Sequence, residues 1–247
     1  MNHAIRPQAV PIGFEQRPAW HNRQYRRWRD SRRPLPHEAG AWMAQNKNGL
    51  YVRRIQRTSL PVDTIELAKY LIGKTLVHDT RAGRMSGRIV ETEAYVLGDA
   101  AGHAYRGLTP RNKSLFLDRG HAYVYRAYGL HFLLNVSSEV RGVGAGVLLR
   151  ALEPLDGIPL MPLHRGQAPL NDLARGPGRL SQAMGISLQH DGLDLCAAGP
   201  LWLGDSAGPT REIGRSVRIG ISRDTRRLLR FYERGSPYVS GPKRSRV

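Results

Sequence analysis

The sequence has one cysteine, no long apolar run and no apolar signal segment, and each of these shortages excludes a class of protein. The single Cys196 rules out an internal disulfide and any zinc site that needs several cysteines, and it suits a reducing compartment. No stretch approaches the ~18 consecutive apolar residues of a membrane span. The N-terminus lacks the apolar core of a secretory signal. We therefore expect a cytoplasmic protein that is neither secreted nor embedded in a membrane.

Acidic residues are also scarce, which leaves the chain strongly basic. Asp and Glu total 20 against 38 Lys and Arg, a formal net charge of +18 over 247 residues. This charge does not specify a fold, but it predicts attraction to polyanions, of which nucleic acid and anionic membrane are the usual two. With 40% hydrophobic residues, the chain can build one sizeable core, alone or with a tail.

Half of the net charge lies in the first part of the chain. Residues 1–57 hold 12 Lys or Arg against 3 Asp or Glu, and no apolar period persists among them. This pattern predicts a disordered basic arm over 1–57, followed by a folded domain over 58–247 whose first element begins near Leu60. The arm is either a solvated extension without a role or a phosphate-binding segment whose aromatic side chains stack on bases.

Turn and capping residues divide the rest of the chain into two helices and several short strands. Asp63 can cap a helix that runs through Leu71 and ends at Gly73, and a second helix is predicted after Gly176-Pro177-Gly178. β-like runs separated by turn residues lie at 75–78, 88–93, 121–125, 132–136, 146–151, 216–221 and 229–232. Because strands outnumber helices without regular alternation, we expect a mixed α/β (α+β) fold, a single domain with a curved, largely antiparallel sheet flanked by short helices.

Two glutamates in the 88–93 run are the first candidates for chemistry. In a strand, Glu91, Glu93 and Tyr95 lie on one face. Two carboxylates on one face repel each other, and in a partly buried site one of them would have a raised pKa, which suits acid–base chemistry. The same spacing also fits an exposed acidic edge of a sheet, so this segment alone leaves both interpretations open.

Three tyrosines in six positions form a second unusual cluster. Tyr123 and Tyr125 alternate onto one face of a strand, and Tyr128 precedes Gly129, which places it at the tip of a turn. Tyrosines usually pack in cores with the hydroxyl reaching a partner. In a chain this basic, stacking on nucleobases is a serious alternative.

Three further polar residues lie near these segments. His103 precedes a Thr-Pro turn, Asn135 interrupts an apolar strand, and Arg150 ends another. Buried amides and arginines need partners, so each residue taken singly suits a structural hydrogen bond. Together with the glutamates and tyrosines on neighbouring strands of a basic protein, they indicate a site. The glycines at 142, 144 and 146 precede a strand, whereas a dinucleotide fold needs a helix there, so no nucleotide cofactor is indicated.

The stretch from Arg88 to Pro154 closely resembles the alkyladenine (3-methyladenine, or methylpurine) DNA glycosylase family of base-excision repair. The matching strings, in order, are RIVETEAY, TPRN, YVY followed by YG, an asparagine at 135 followed by VSS, and VLLRALEPL. The C-terminal LRFYERGSPYVS is similar to the closing segment of the family. The resemblance therefore covers roughly residues 60–242, and the basic arm lies outside it.

The resemblance implies a role for each matched residue. Glu93, in ETEAY, corresponds to the general base that activates the attacking water, and Arg150, in LLRALEP, to the arginine that helps to hold this water. Asn135 corresponds to the side chain that crowds the exocyclic amino group of guanine. The walls of the base pocket correspond to Tyr95, His103 and Tyr125, with Ile219 and Gly220 as a looser match.

The resemblance also implies the contacts to DNA. Tyr128, in YG, corresponds to the tyrosine that enters the minor groove and fills the gap in the base stack, and we expect Arg111 and Arg126 to bind DNA beside it. Arg126 and Ala127 stand where many relatives have apolar residues, and the segment from Tyr95 to Asn112 is slightly shorter than in vertebrate members. The rim of the pocket, which bears on substrate range, therefore differs from those relatives.

The family implies a monomeric, monofunctional DNA-3-methyladenine glycosylase that flips alkylated purines out of duplex DNA and removes them hydrolytically. Candidate substrates are 3-methyladenine, 7-methylguanine, hypoxanthine and ethenoadenine, which the sequence does not rank. No lysine is among the matched residues, so Schiff-base strand cleavage is not expected, and no metal or organic cofactor is required. Such an enzyme would work at the nucleoid of a bacterium or in the nucleus of a eukaryote. Two alternatives are a non-catalytic nucleic-acid-binding protein and an unrelated basic RNA-binding or ribosome-associated protein.

Overall fold

A single antiparallel sheet dominates the fold. The computed structural model describes residues 43–45, 51–127, 129–206 and 212–242. In these ranges ten strands form one curved sheet in which all paired strands are antiparallel, and short helices flank it. The predicted mixed fold with a curved, largely antiparallel sheet is therefore confirmed. None of the helices in the described ranges has both the length and the apolar character that crossing a membrane requires.

The order of the strands places the fourth one near the centre. The strands are β1 Met43–Gln45, β2 Tyr51–Arg54, β3 Thr75–Thr80, β4 Gly83–Tyr95, β5 Ala122–Ala127, β6 His131–Ser137, β7 Gly146–Pro154, β8 Leu201–Ser206, β9 Ile213–Ser216 and β10 Arg230–Glu233. The helices are α1 Thr64–Leu71, α2 Met161–Arg165 and α3 Pro177–Ala183. Across the sheet the order is β1-β2-β8-β3-β4-β7-β6-β5, with β10 pairing β4 and β9 pairing β10. The long β4, which carries both candidate glutamates, thus pairs with three other strands.

Helix α1 forms where the sequence predicts it and covers one face of β4. The Asp63 carboxylate accepts the backbone N–H groups of Ile65 and Glu66, both at 2.9 Å, and so caps the first turn. On the side facing the sheet, the hydroxyl of Thr92 donates to the Ala68 carbonyl oxygen at 2.9 Å. Since neighbouring residues of a strand point to opposite faces, Thr92 facing the helix directs Glu91 and Glu93 to the other side.

Strand β4 is irregular at the first of these glutamates. Its register with β7 shifts between Ile89 and Glu91 and again between Glu91 and Thr92. Such an irregularity bends a strand and redirects a side chain. Glu91 and Glu93 nevertheless stay on one face, because both contact the guanidinium of Arg150 on β7. The predicted sharing of one face by the two glutamates is confirmed.

The β-like run predicted at 216–221 is wrong. The strand in this region is β9, which ends at Ser216, and a loop follows it. Val217, Ile219 and Ile221 alternate with Arg218 and Gly220 in the pattern of a strand, but the polar groups of this segment have other partners. The Arg218 side chain is buried in an ion pair, and the Ile219 N–H donates to a glutamate rather than to a neighbouring strand. The alternation therefore reflects a loop held by side-chain contacts.

The sheet also begins earlier in the chain than the sequence predicts. β2 precedes Leu60, the expected start of the first element, and pairs with β8, a strand that the sequence analysis did not identify. Val52 of β2 packs with Val77 and Trp202 in a small buried cluster. β1 and β2 thus lie within residues 1–57, for which the sequence predicts a disordered arm. The rest of that arm up to residue 50, residues 1–42 and 46–50, lies outside the described residues, so its disorder stays a prediction.

Candidate active site

A cavity of about 790 Å³ opens beside the end of β4. It brings together residues from β4, β5, β6 and β7 and from the loops that follow β4 and β9. Nearly all of the residues that the sequence proposes for the site line it, namely Tyr95, His103, Arg111, Tyr125, Arg126, Asn135, Arg150, Ile219 and Gly220. Glu93 is fully buried and contacts three of these residues.

The Glu93 carboxylate lies directly behind the cavity lining and is surrounded by three donors, each from a residue that lines the cavity. Its Oε1 accepts the backbone N–H of Ile219 at 2.8 Å and lies 3.1 Å from Nη1 of Arg150. The hydroxyl of Tyr95 donates to Oε2 at 3.0 Å. Burial raises the pKa of Glu93 above its ordinary value, and these three partners offset only part of that rise. A fixed carboxylate that takes up a proton this readily is suited to act as a general base.

The second glutamate has a different environment. Oε1 of Glu91 accepts from Nε of Arg150 and Nε of Arg230, both at 2.7 Å, and from the Ser240 hydroxyl at 2.9 Å. Its Oε2 accepts the Ser240 N–H at 2.6 Å. Burial opposes ionisation, but the two arginines and Ser240 outweigh it and lower the pKa of Glu91. Glu93 therefore has a raised pKa and Glu91 a lowered one. The sequence predicts the raised pKa of one glutamate but not which of the two has it.

Arg150 links the two glutamates. Its Nε and Nη1 reach Glu91 and Glu93, and its Nη2 donates to the Ser240 hydroxyl at 3.2 Å. These contacts fix the plane of a guanidinium that also lines the cavity. A cation held rigidly beside Glu93 can orient a water molecule for attack and keep the carboxylate ionised.

Aromatic rings form another part of the cavity wall. His103 and Tyr125 meet at a centroid distance of 4.3 Å, and Tyr125 stacks on Tyr123 at 5.4 Å. The hydroxyl of Tyr123 lies 2.9 Å from Nδ1 of His103. Burial lowers the pKa of His103, with the Arg111 cation acting in the same direction. The wall is therefore uncharged at neutral pH and offers π-faces to a planar ring, a cationic one especially.

Asn135 lies on β6 directly opposite Tyr123 of β5. Its amide nitrogen donates to the Tyr123 carbonyl oxygen at 3.3 Å, so the amide has a fixed orientation in the cavity wall. A buried polar group at a fixed position can distinguish planar rings that differ by one substituent, because a wrong substituent clashes with it or loses a hydrogen bond.

The predicted DNA contacts are described only in part. Arg111 and Arg126 are both exposed and lie together at the mouth of the cavity, with Nη2 of Arg111 3.4 Å from the Arg126 carbonyl oxygen. Tyr128 lies outside the described residues, so its place at the turn between β5 and β6 stays a prediction.

Three residues near the site were not proposed from the sequence. The sequence predicts a face shared by Tyr123 and Tyr125 without a role for Tyr123, and in the structure its hydroxyl supports His103. Asp99 and Arg218 form a buried ion pair behind Tyr95. The signal in the sequence for this pair is an arginine within an alternating apolar run, a pattern that also predicts a strand. Within the described ranges, no group of three His, Cys, Asp or Glu side chains could hold a metal ion.

A buried acid–base carboxylate, an adjacent arginine and an aromatic cavity on a strongly basic chain are together typical of an enzyme that acts on a nucleobase. A sequence model of the methylpurine-DNA glycosylase family matches residues 58–237. The chain is also similar to three proteins that are each named as a candidate 3-methyladenine DNA glycosylase.

The relatives resemble this chain over most of their own length. The protein from Mesorhizobium japonicum is 65% identical over 189 residues, which cover 76% of this chain and 91% of that protein. The protein from Paraburkholderia phytofirmans is 53% identical over 80% of this chain and 93% of that protein. The protein from Methanoculleus marisnigri is 47% identical over 72% of this chain and 94% of that protein. The chain therefore belongs to the methylpurine-DNA glycosylase family, which confirms the resemblance stated from its motifs, and it is a DNA glycosylase.

Proposed function

We propose that this protein is a monomeric, monofunctional glycosylase that removes alkylated purines from double-stranded DNA by hydrolysis. One observation carries the proposal: the buried Glu93 carboxylate contacts Arg150, which lines an aromatic cavity, and lies directly behind that lining. Family membership supplies the reaction class, and this geometry supplies the base, a cation beside it and a compartment for the purine.

The shape of the site requires the base to leave the helix. A nucleobase inside the DNA stack cannot reach a buried carboxylate, so its nucleotide must rotate outward at a cost of a few kcal/mol. The cavity, about 790 Å³, lies within the size range of small-molecule pockets and can admit one purine. A side chain that fills the vacated place in the stack offsets part of this cost. We assign that role to Tyr128 and the adjoining phosphate contacts to Arg111 and Arg126.

The chemistry then follows from Glu93. As the bond between sugar C1′ and purine N9 lengthens, positive charge develops on the sugar, and the nearby carboxylate stabilises it. Glu93 takes a proton from a water molecule that Arg150 helps to hold, and the water oxygen bonds to C1′. The electron pair of the broken bond passes to the purine, which neutralises the cation of an alkylated ring. No lysine is among the described residues that line the cavity, which favours hydrolysis over a Schiff-base route.

The cavity wall favours damaged over normal purines. Alkylation at N3 or N7 makes the ring cationic, so it is both a better leaving group and a better partner for the faces of Tyr125 and the uncharged His103. A normal purine lacks both advantages, and the fixed Asn135 amide disfavours guanine in particular. We therefore propose 3-methyladenine and 7-methylguanine as substrates, with hypoxanthine and ethenoadenine as further candidates.

A panel of lesion duplexes tests the proposal. Full-length protein is incubated with methylated DNA and with duplexes that contain hypoxanthine or ethenoadenine. Free bases are separated by chromatography, and strand integrity is followed on denaturing gels. We expect release of at least one alkylpurine, intact strands until the abasic product is treated with alkali, and no release from undamaged duplex. Folded protein that releases no base, or that binds RNA more tightly than damaged duplex, would contradict the proposal.

A further inference from the structure

We propose that Arg218 and Asp99 form a positioning pair that sets the geometry of the two hydrogen bonds Glu93 accepts from Ile219 and Tyr95. This inference deepens the proposed function and rests on it for its meaning in base excision. It concerns two residues outside the set that contacts the Glu93 carboxylate: Arg218 is buried behind Tyr95, and Asp99, its partner, belongs to the lining of the cavity.

The Arg218 side chain is completely buried and uses most of its donors on one small region. Nη1 donates to the Ala94 carbonyl oxygen at 3.0 Å, and Nη2 donates to Oδ1 of Asp99 at 3.0 Å. Nη1 also contacts Oδ2 of Asp99, which makes the ion pair bidentate. The guanidinium carbon lies 4.6 Å from the ring centroid of Tyr95. A single side chain therefore holds both the ring of Tyr95 and the backbone just before it.

The same arginine fixes the peptide on the other side of Glu93. Ile219 directly follows Arg218, and its N–H donates to Oε1 of Glu93 at 2.8 Å. Tyr95, against which Arg218 packs, donates its hydroxyl to Oε2 at 3.0 Å. Since Ile219 lies in a loop rather than a strand, no ladder of backbone hydrogen bonds holds its N–H in place. Both neutral donors to Glu93 thus depend on where Arg218 is held.

Asp99 connects this arrangement to the loop that carries His103. Its Oδ1 also accepts the Ala101 N–H at 3.0 Å, and its carbonyl oxygen accepts the Gly102 N–H at 2.9 Å. Burial opposes ionisation, but Arg218 and the Ala101 N–H lower the pKa of Asp99, so the pair stays charged over the working pH range. The pair therefore joins the two loops that border the cavity.

The charges that face Glu93 come from three strands. Arg150 on β7 lies closest to Glu93. Glu91 and Tyr95 are on β4, the same strand as Glu93, and Arg230 of β10 lies on the far side of Glu91. Replacing Asp99 by asparagine leaves the Arg218 cation without its counter-charge. By charge alone, this cation would lower the pKa of Glu93. Misplacement of the Ile219 N–H would instead raise it, so the sign of the change separates positioning from simple electrostatics.

The test is a direct titration of Glu93 in the full-length protein. Carbon-13 NMR follows the glutamate carboxyl carbons with pH, and the Glu93 signal is identified by its loss in Glu93→Gln. We expect Asp99→Asn to raise the midpoint by about one pH unit, the scale of losing one charge-assisted hydrogen bond. The control is Arg227→Gln. Nη1 of Arg227 also lies near the Asp99 carboxylate, at 4.0 Å from Oδ2, but its side chain is 43% exposed and does not hold Ile219 or Tyr95. The control should keep the wild-type midpoint.

The excision rate should follow the titration. A general base works when deprotonated, so a higher pKa moves the fall of the single-turnover rate at low pH to a higher pH. An unchanged or lowered midpoint in folded Asp99→Asn would overturn the proposal. Should that variant fail to fold, Arg218→Lys keeps the charge but loses the flat bidentate contact, and the same increase is expected. Wild-type protein that releases no base would refute the proposed function, whereas the NMR result would still decide the positioning role.

Discussion

Two buried histidines make the stability of the fold depend on pH. His78 of β3 and His190 lie with their Nε2 atoms 3.2 Å apart. Nδ1 of His78 lies 2.6 Å from the Met184 carbonyl oxygen, an acceptor, so this nitrogen carries a proton and Nε2 of the neutral ring accepts. Nε2 of His190 therefore donates, and its Nδ1 accepts the Ser187 N–H at 3.1 Å. A proton added to His78 would bring two N–H donors together at the pair of Nε2 atoms.

The size of the effect follows from the pKa of His190. Burial, together with the neighbouring His78, lowers that pKa from 6.5 to about 4, and burial lowers the pKa of His78 as well. The unfolded chain takes up protons below about pH 6.5, whereas the folded pair resists them. The stability contributed by neutral burial is therefore complete above that pH and is lost as the pH falls towards 4. For His190 alone, the difference corresponds to about 3 kcal/mol in total, of which about 2 kcal/mol is lost between pH 7 and pH 5.

Urea unfolding at pH 7 and pH 5 measures this loss. The side chain in His190→Gln cannot titrate but can still donate an N–H to His78. Between pH 7 and pH 5, the free energy of unfolding of this variant should therefore fall by about 2 kcal/mol less than that of wild type. His164→Gln, at an exposed histidine whose charge is the smallest of the causes that act on the pKa of His78, serves as the control and should lose nearly as much stability as wild type. If the difference between wild type and His190→Gln is the same at both pH values, the assigned protonation states are wrong.

Three further predictions concern the site, the buried glutamate and the arm. Asn135→Ala should release normal guanine from G·T duplexes, which chromatography detects, because the side chain that excludes the amino group is gone and mispairs open more easily. Glu91→Gln should lower the free energy of unfolding by about 3–5 kcal/mol in urea titrations, because Arg150 and Arg230 lose their counter-charge. Removal of residues 1–42, with 8 Arg against 3 Asp or Glu, should weaken binding to undamaged DNA and flatten its salt dependence, while single-turnover excision at saturating enzyme changes little.

Each of these predictions has a result that would contradict it. No increase in guanine release by a folded Asn135 variant would mean that another residue excludes guanine. An effect of Glu91→Gln no larger than that of Glu153→Gln, at a partly exposed ion pair with Arg88, would mean that the buried network does not stabilise the fold. A truncated protein that is unfolded, or inactive at saturation, would show that the removed segment belongs to the folded domain.

The elements that the sequence predicts well are those with a local physical signal. The start of α1 is marked by the N-cap Asp63. Its end is marked by Gly73, whose φ of +85° lies in the left-handed region that favours glycine, so both ends can be located from the sequence. The face shared by Glu91 and Glu93 follows from strand alternation and survives the irregularity in β4. The prediction of a largely antiparallel sheet rests on the same kind of local signal, short runs separated by turn residues, and the observed strand pairing confirms it.

Where tertiary contacts decide the conformation, the local pattern misleads. β2 contains Arg53 and Arg54 within a basic stretch, so its composition concealed a strand that is fixed by pairing with β8. The Asn48-Gly49 dipeptide that separates β1 from β2 in the sequence is typical of a hairpin and could have indicated this pair. The run at 216–221 has the alternation of a strand but is held as a loop by contacts to Asp99, 119 residues away.

The same limit applies to the site. Nothing in the residue pattern distinguishes Glu93 from Glu91, since strand alternation puts both on one face. Their burial does not distinguish them either, because both are fully buried. The resemblance to the family assigned the role of base to Glu93, and the structure supplies a physical difference. Glu91 is paired with two arginines and the Ser240 backbone N–H, whereas Glu93 shares one arginine with it and faces the cavity residues. Such differences depend on residues far apart in the sequence and become visible only when the chain is folded.

The central claim is that Glu93 is the general base of base excision, and single-turnover excision by Glu93→Gln tests it most directly. The substitution keeps the size of the side chain and removes its basicity. With enzyme in excess over a duplex that carries one lesion released by wild type, we predict a loss of about 100-fold or more in rate, with lesion binding retained. Excision within a few-fold of wild type by the folded variant would contradict the claim and remove Glu93 from this role.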